Sequence, residues 1–346
     1  MTGRAQREAP GTDRRVLVLG GSGFLGRHLT AAFHHTGWQV TAVSRSGDAG
    51  QPAGRPEPAA PRRLALDVAG ADPGTLTDVL TRTAPHVVVN AAGAVWAASE
   101  EEMARGNVLL VDRLLTVLPR LPRPPRLLQL GTAHEYGPPL GDAPVTEAAA
   151  LRPVSGYGRT KARASEAVLG AARDSALEAT VLRVSNAVGA GLPPASLLGG
   201  VAAALAAAPG DGAPAVLRLG PLTARRDFVD ATDVAEAVVA AAAAPAAVPV
   251  VNIGRGTSVA AGDLVRRLLA VSGRPAELVE RQQPAAVPAA PGGAAYAQRL
   301  DITLARRALG WRPSRELDDS LRGLWLAAGD PPYPSGPGRE EMRKRR

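Results

Sequence analysis

Within the segment PVSGYGRTK, Tyr157 and Lys161 stand four residues apart. On a helix that spacing puts both side chains on one face. Free Tyr and Lys each titrate near pH 10, so an isolated Tyr is a sluggish acid or base at neutral pH. A cation ~4 Å away, at an effective dielectric near 20, stabilises a phenolate by roughly 4 kcal/mol. At 1.36 kcal/mol per unit this lowers the pKa by about three units, into the range useful for general acid–base chemistry. Surface helix pairs of this spacing are common, and composition is what sets this one apart. The chain has four tyrosines, and of its 40 basic residues only Lys161 and Lys344 are lysines. A Lys in the interior of a chain that otherwise uses Arg marks a place where Arg will not do.

A second constellation lies near the start. VLVLGGSGFLG reads as a strand followed at once by Gly20, Gly23 and Gly26 and then by an amphipathic helix. Small residues at this spacing allow a sharp turn and close approach of a pyrophosphate, and the helix start supplies N–H groups and a positive dipole end. Gly26 lets the helix pack on the sheet, while Ser22, Phe24 and Leu25 complete the turn. A glycine-rich turn alone is weak evidence; placed after the first strand of a βαβ chain it predicts dinucleotide binding. The second strand then ends in Ser44-Arg45, where an NAD site usually carries Asp or Glu for the ribose 2′-hydroxyl. Arg pairs with a 2′-phosphate, so the reading favours NADP over NAD, with Asp48 the residue that would serve NAD instead. Asp67, just past the third strand, is placed either to hydrogen-bond an adenine or to cap a turn.

Further strand ends meet at the same edge. Asn90 closes VVVN and is followed by Ala91, Ala92 and Gly93; Thr132 lies just beyond RLLQL, where its hydroxyl would reach a substrate carbonyl beside Tyr157. Convergence of post-strand motifs at one edge is what ligand binding at an α/β switch point requires.

The elements that must position these residues alternate along the chain. Strands are expected at 16–19, 39–43, 63–66, 86–90, 126–130, 179–184, 215–219 and 250–253. Helices are expected at about 23–36, 74–83, 100–118, 155–172, 260–272, 303–309 and 316–326, with an alanine-rich helix after 195. Strands separated by such helices imply a parallel sheet of the α/β class, and runs apolar on both faces fit strands covered by helices. Residues 47–63 are rich in Pro and Gly and read as a loop. The predicted organisation is a dinucleotide-binding domain over 14–184 plus about 227–253, a smaller mixed substrate lobe over 185–226 and 254–328, and tails at 1–13 and 329–346.

Composition removes several functions. The 346 residues contain no Cys, which excludes disulfides, thiolate metal sites and a Cys nucleophile. The five His residues fall in no metal-binding spacing, so no metal is expected. The net charge of +8 comes from arginines scattered over the chain without interleaved aromatics, which suits an anionic small molecule and not a nucleic acid. No stretch reads as a signal peptide or a membrane span, so a cytoplasmic protein without a membrane partner is expected.

With these pieces assembled, the chain resembles the extended short-chain dehydrogenase/reductases, the NAD-dependent epimerase/dehydratase group, over about residues 14–326. GGSGFLG, NAAGA, GTAHEYG, YGRTK, LRVSNAVGAG, RRDFVDATDVA and LGWRP carry the resemblance. It implies a Rossmann-type doubly wound sheet, with Tyr157 as catalytic acid/base and Lys161 on the nicotinamide ribose. It also implies Thr132 at the family's Ser/Thr position, Asn186 and Arg226 on the phosphates or sugar of a nucleotide-sugar, and a homodimer formed through the helices at 100–118 and 155–172.

Departures from the family pattern narrow the expectation. The dehydratases carry an Asp-Glu pair after the catalytic Thr, where this chain has Ala133 and His134; Glu135 is one residue late and is expected to point elsewhere. The family's later phosphate-binding Arg is not evident at 290–293, and Arg299 is the substitute. His134 is a candidate sugar contact. The leading expectation is NADPH-dependent reduction of a dTDP-4-keto-6-deoxyhexose, or another nucleotide-linked keto-deoxysugar, in deoxysugar biosynthesis. The alternatives are a 4-epimerase with bound NAD and a non-catalytic NADP sensor of the same fold.

Overall fold

The computed structural model describes residues 14–45, 60–95, 98–139, 141–175, 177–208, 213–280 and 297–329. The expectations for Asp48, most of the 47–63 loop, residues 290–293 and the two tails lie outside them.

Seven strands form one parallel sheet: β1 (Arg15–Leu19), β2 (Gln39–Ser44), β3 (Arg62–Ala65), β4 (Val87–Asn90), β5 (Arg126–Thr132), β6 (Ala179–Val184) and β10 (Val250–Ile253). Their order is β10-β6-β5-β4-β1-β2-β3, so the chain reverses its winding between β1 and β4. Every residue of β4 and β6 is buried, as expected of strands covered on both faces. One face packs against α1 (Phe24–His35) and α7 (Ala231–Ala243) through a core that includes Leu29, Phe33, Val234 and Val238. The other packs against α2 (Pro73–Thr83), α4 (Leu110–Val117) and α5 (Gly156–Asp174) through Leu76, Leu80, Leu114 and Val168.

The expected helix at 100–118 is broken into three pieces. A four-residue α3 (Glu100–Met103) leads into a π-helical turn, Ala104–Leu109, before α4 begins. The buried Asn107 side chain explains the wide turn: it accepts from Ala94 N–H and donates to Ala94 C=O and to Thr160, all at 3.0 Å. An inserted polar side chain bonding a neighbouring segment is a usual cause of such a bulge.

The rest of the chain makes two small sheets that the sequence reading did not resolve. Strand β9 (Arg225–Asp230) pairs with β7 (Asn186–Val188), β11 (Ser258–Ala260) and β13 (Ala297–Gln298), while β8 (Ala215–Leu219) pairs in parallel with β12 (Ala276–Glu280). Helices α6 (Leu197–Ala207), α8 (Ala261–Ser272) and α10 (Leu317–Gly329) share a third core with them around Leu205, Leu264 and Leu321, and α9 (Thr303–Leu309) sits beside α7 and β10. Among the described residues no helix is long and apolar enough to cross a membrane.

Candidate active site

The glycine turn joins β1 to α1 at the switch point. Gly20 has φ +77, and a β-carbon there would stand 2.7 Å from the Ala92 nitrogen. A β-carbon on Gly26 would collide with the Gly20 carbonyl oxygen, so the helix start can lie against the turn only without one. Gly20 and Gly21 both donate to the Val43 carbonyl (2.9 and 3.0 Å), which ties the turn to β2. No side chain caps the first turn of α1, leaving its positive end for an anion.

Beside this turn lies a cleft of about 540 Å³. Of the predicted cofactor residues, Gly20, Ser22, Phe24, Ser44, Arg45, Asp67, Ala91, Ala92 and Gly93 line it. Gly23, Leu25, Gly26, Asn90, Tyr157 and Lys161 do not, and the first four shape it from behind. Gly23 closes the turn onto Gly20 (2.9 Å), and Leu25 packs into the core beneath α1. Asn90 is buried, donates to Gln129 on β5 (2.8 Å) and accepts from Ala92 N–H (3.2 Å), so it sets the bend of 90–92 and does not face the cleft. Asp67 does close a turn, through Gly70 and Ala71, while its carboxylate pairs with Arg105 at 2.5 Å. The cradle that a β-carbon would fill, the uncapped helix start and the Arg45 rim together fit a dinucleotide.

On the other side of the switch point the strand runs two residues further than predicted, so that Thr132 is the last residue of β5 and does not lie beyond it. Ser155 caps α5 by accepting from Gly158 N–H (3.0 Å), which sets Tyr157 in the first turn. The Thr132 side chain lies beside the Tyr157 phenol. Lys161 is buried and donates from Nζ to the Leu130 carbonyl at 2.5 Å.

Here the electrostatics correct the sequence expectation. Tyr157 is not made acidic: burial pushes its phenol up to about 12, the neighbouring Thr132 side chain pulls the other way, and the Glu135 charge adds to the rise. Burial likewise pushes Lys161 down to about 8, opposed by Glu135. The Lys161 ammonium hydrogen-bonds a strand carbonyl and not the phenol.

The predicted substrate residues do come together. The His134 ring meets Tyr157 edge to face with centroids 5.8 Å apart, lies beside the Asn186 side chain, and feels the Arg226 charge. Burial first, then Arg226, push its pKa down, so the ring is neutral at neutral pH. Asn186 also donates to the Asp227 carbonyl (2.9 Å), and Arg226 donates to the Arg225 carbonyl (2.9 Å). Arg299 donates to the Asp142 carbonyl (2.9 Å), which ties it to the 142 loop.

Three residues, Asn107, Asp227 and Arg105, escaped the sequence reading, and a fourth, Glu135, points elsewhere as expected but to a partner the sequence reading did not name. Glu135 is fully buried and pairs with Arg183 Nε (2.9 Å); the signal was Arg183 itself, a guanidinium inside a strand otherwise apolar on both faces, which demands a buried acceptor. Asn107 was a polar residue within an apolar helix. Asp227 accepts from Ser185, Arg255 N–H, Gly256 N–H and Leu300 N–H, tying three segments to β9. Arg105 carried no signal, because its partner lies 38 residues away.

The same arrangement recurs among known proteins. The model of the NAD-dependent epimerase/dehydratase family matches residues 16–254. The dTDP-6-deoxy-L-talose 4-dehydrogenase (NAD(P)(+)) of Kitasatospora kifunensis is 44% identical over 321 residues, 92% of this chain and 96% of that protein. RMD from Pseudomonas aeruginosa, solved with NADPH, shares the fold at a TM-score of 0.75 and 21% identity, over 92% of this chain and 98% of its own. UDP-glucuronic acid 4-epimerase from Bacillus cereus, solved with NAD, does so at 0.74 and 20%, over 91% and 99%. With the glycine turn, the switch-point cleft and the Thr-Tyr-Lys set in place, the chain belongs to the NAD-dependent epimerase/dehydratase family and is an NAD(P)-dependent oxidoreductase of the short-chain dehydrogenase/reductase type.

Proposed function

We propose that this enzyme reduces the 4-keto group of a dTDP-linked 6-deoxyhexose, using NADPH. The observation that carries the reading is the Tyr157 phenol beside Thr132 and edge to face with the His134 ring, with no carboxylate facing it from positions 133 and 134. A proton donor is present, and the acid pair needed to expel a hydroxyl is not. The relative at 44% identity supports the substrate class, since its name describes chemistry at position 4 of a dTDP-6-deoxy sugar with either nicotinamide cofactor.

When bound, the reduced nicotinamide supplies the hydride to the carbonyl carbon. Tyr157 donates its phenolic proton to the forming alkoxide, and Thr132 hydrogen-bonds the same oxygen. A phenol at about 12 is a weak acid in water, yet it remains a far stronger acid than the alcohol being made, so the transfer runs downhill. The Lys161 ammonium gains favourable energy only as charge reaches the phenol, so its help falls on the transition state. His134 and Asn186 hold sugar hydroxyls, and Arg226 meets the diphosphate. At the far end of the cleft Arg45 takes the 2′-phosphate, and this supports NADPH as the preferred cofactor.

The experiment supplies the purified protein with a dTDP-4-keto-6-deoxyhexose and NADPH. Sugar-dependent loss of NADPH with formation of the 4-hydroxy sugar is expected. Interconversion of C4 epimers by protein that retains NAD and consumes no NADPH would overturn the reading in favour of an epimerase.

A further inference from the structure

We propose that Glu135 is a positioning residue for the reaction at Tyr157: its buried carboxylate holds Thr132 in place from below and supplies the fixed negative charge beside the Lys161 ammonium. The inference rests on the reading of Tyr157 as proton donor. Glu135 ends the 3₁₀ turn that follows β5 and has no exposed surface. One oxygen, Oε1, accepts from the Thr132 backbone N–H at 2.8 Å and from the Ser165 hydroxyl at 3.0 Å. The other, Oε2, accepts from Arg183 Nε at 2.9 Å. A β-carbon on Gly131 would come within 2.6 Å of Oε1, so the strand is bare at that point to admit the carboxylate.

These contacts join the catalytic groups from three elements. Thr132 on β5 is held by its own N–H, which fixes the hydroxyl that meets Tyr157. Ser165 lies one turn beyond Lys161 on α5, so the carboxylate is anchored on the helix that carries both Tyr157 and Lys161. Arg183 reaches in from β6 and itself donates to Tyr136 (3.0 Å), whose hydroxyl donates to Asn252 (2.7 Å). The charged and titratable groups facing Glu135 are therefore Arg183, Lys161, Tyr136 and Tyr157. A buried carboxylate that only balanced Arg183 would need neither the Thr132 nor the Ser165 bond. Beside the Leu130 carbonyl, the Glu135 charge favours the Lys161 ammonium, and it acts against ionisation of Tyr157. Removing its charge moves both in one direction, toward loss of protons at lower pH.

The chain has only two lysines, so the test can be made on the protein alone. In protein labelled with ¹³C at lysine Cε and carrying Lys344→Arg, Lys161 gives the single side-chain resonance, which reports its titration without substrate or cofactor. Glu135→Gln is expected to lower that midpoint by about one pH unit, and Glu135→Asp, which keeps the charge, to leave it near the wild-type value. Should Glu135→Gln fail to fold, the pair Glu135→Gln with Arg183→Gln removes both buried charges together and is read against Arg183→Gln alone, which isolates the loss of the Glu135 charge. A midpoint unchanged by loss of the Glu135 charge overturns the proposal, whichever variant supplies it. In the reductase assay the alkaline limb of kcat should move down with the Lys161 midpoint; a limb that stays in place while the resonance moves also overturns it. Absence of wild-type turnover would count against the ketoreductase reading, and the resonance would still report on Glu135.

Discussion

The Lys161 ammonium hydrogen-bonds the Leu130 carbonyl near the end of β5, not the phenol four residues before it. The bond fastens α5 to the strand that carries Thr132 and keeps a cation under the site without neutralising it. Leu130 also accepts from the Gln129 side chain at 3.0 Å, so the strand carbonyl stays satisfied if the lysine is removed.

Lys161→Met should therefore separate activity from stability. The reductase rate is expected to fall on the order of a hundredfold, as when a charge aimed at a transition state is lost. Thermal stability is expected to rise, because a buried cation is replaced by a side chain of similar volume. The pH dependence has a defined sign. The unfolded chain holds the lysine proton up to its ordinary value of 10.5 and the folded chain only to about 8, so this residue adds stability as pH rises between the two. Melting curves across that window should show the wild-type gain diminished in the variant; parallel curves would contradict the assignment.

Gly20→Ala puts a side chain into the left-handed region and drives its β-carbon toward the Ala92 nitrogen. The strain should cost roughly 2 kcal/mol of stability. NADPH binding should weaken at least ~10-fold as the cradle fills, on the reasoning that only a bare backbone admits the pyrophosphate. Calorimetric titration with NADPH checks it.

Arg45→Ala should raise KM for NADPH about tenfold while leaving KM for NADH little changed, since one charge-assisted pairing to the 2′-phosphate is removed. Equal effects on both cofactors would place the 2′-phosphate elsewhere on the rim.

Much of this was legible before any coordinates. Hydrophobic runs such as the VVV of HVVVN, apolar on both faces, identify strands buried on two faces, and the glycine spacing identifies the turn between β1 and α1. Tyr157, Lys161 and Thr132 stand out because their types are scarce or their positions follow strands directly. The small sheets were hidden by their dependence on distant partners: β13 is two residues long and exists only by pairing with β9, over 70 positions away in the chain. The partner of Lys161 was hidden for a different reason, since a backbone carbonyl has no signature in the sequence and a tyrosine does. Glu135 does point elsewhere, as expected, and what stayed hidden was its partner, since Arg183 was read only as part of a buried strand.

His134→Ala should raise KM for the sugar about 5–10-fold with KM for NADPH unchanged, the loss of one hydrogen bond from a neutral ring to a sugar hydroxyl. A fall in kcat alone, with KM intact, would instead make His134 part of the proton transfer.

The most direct test of the account is the steady-state rate of Tyr157→Phe with NADPH and the 4-keto sugar. The phenyl ring keeps the shape and the edge-to-face contact with His134 and removes only the hydroxyl. The account predicts a kcat lower by roughly 10²–10⁴-fold in a protein that still folds and binds NADPH. A variant that retains most of the wild-type rate contradicts it.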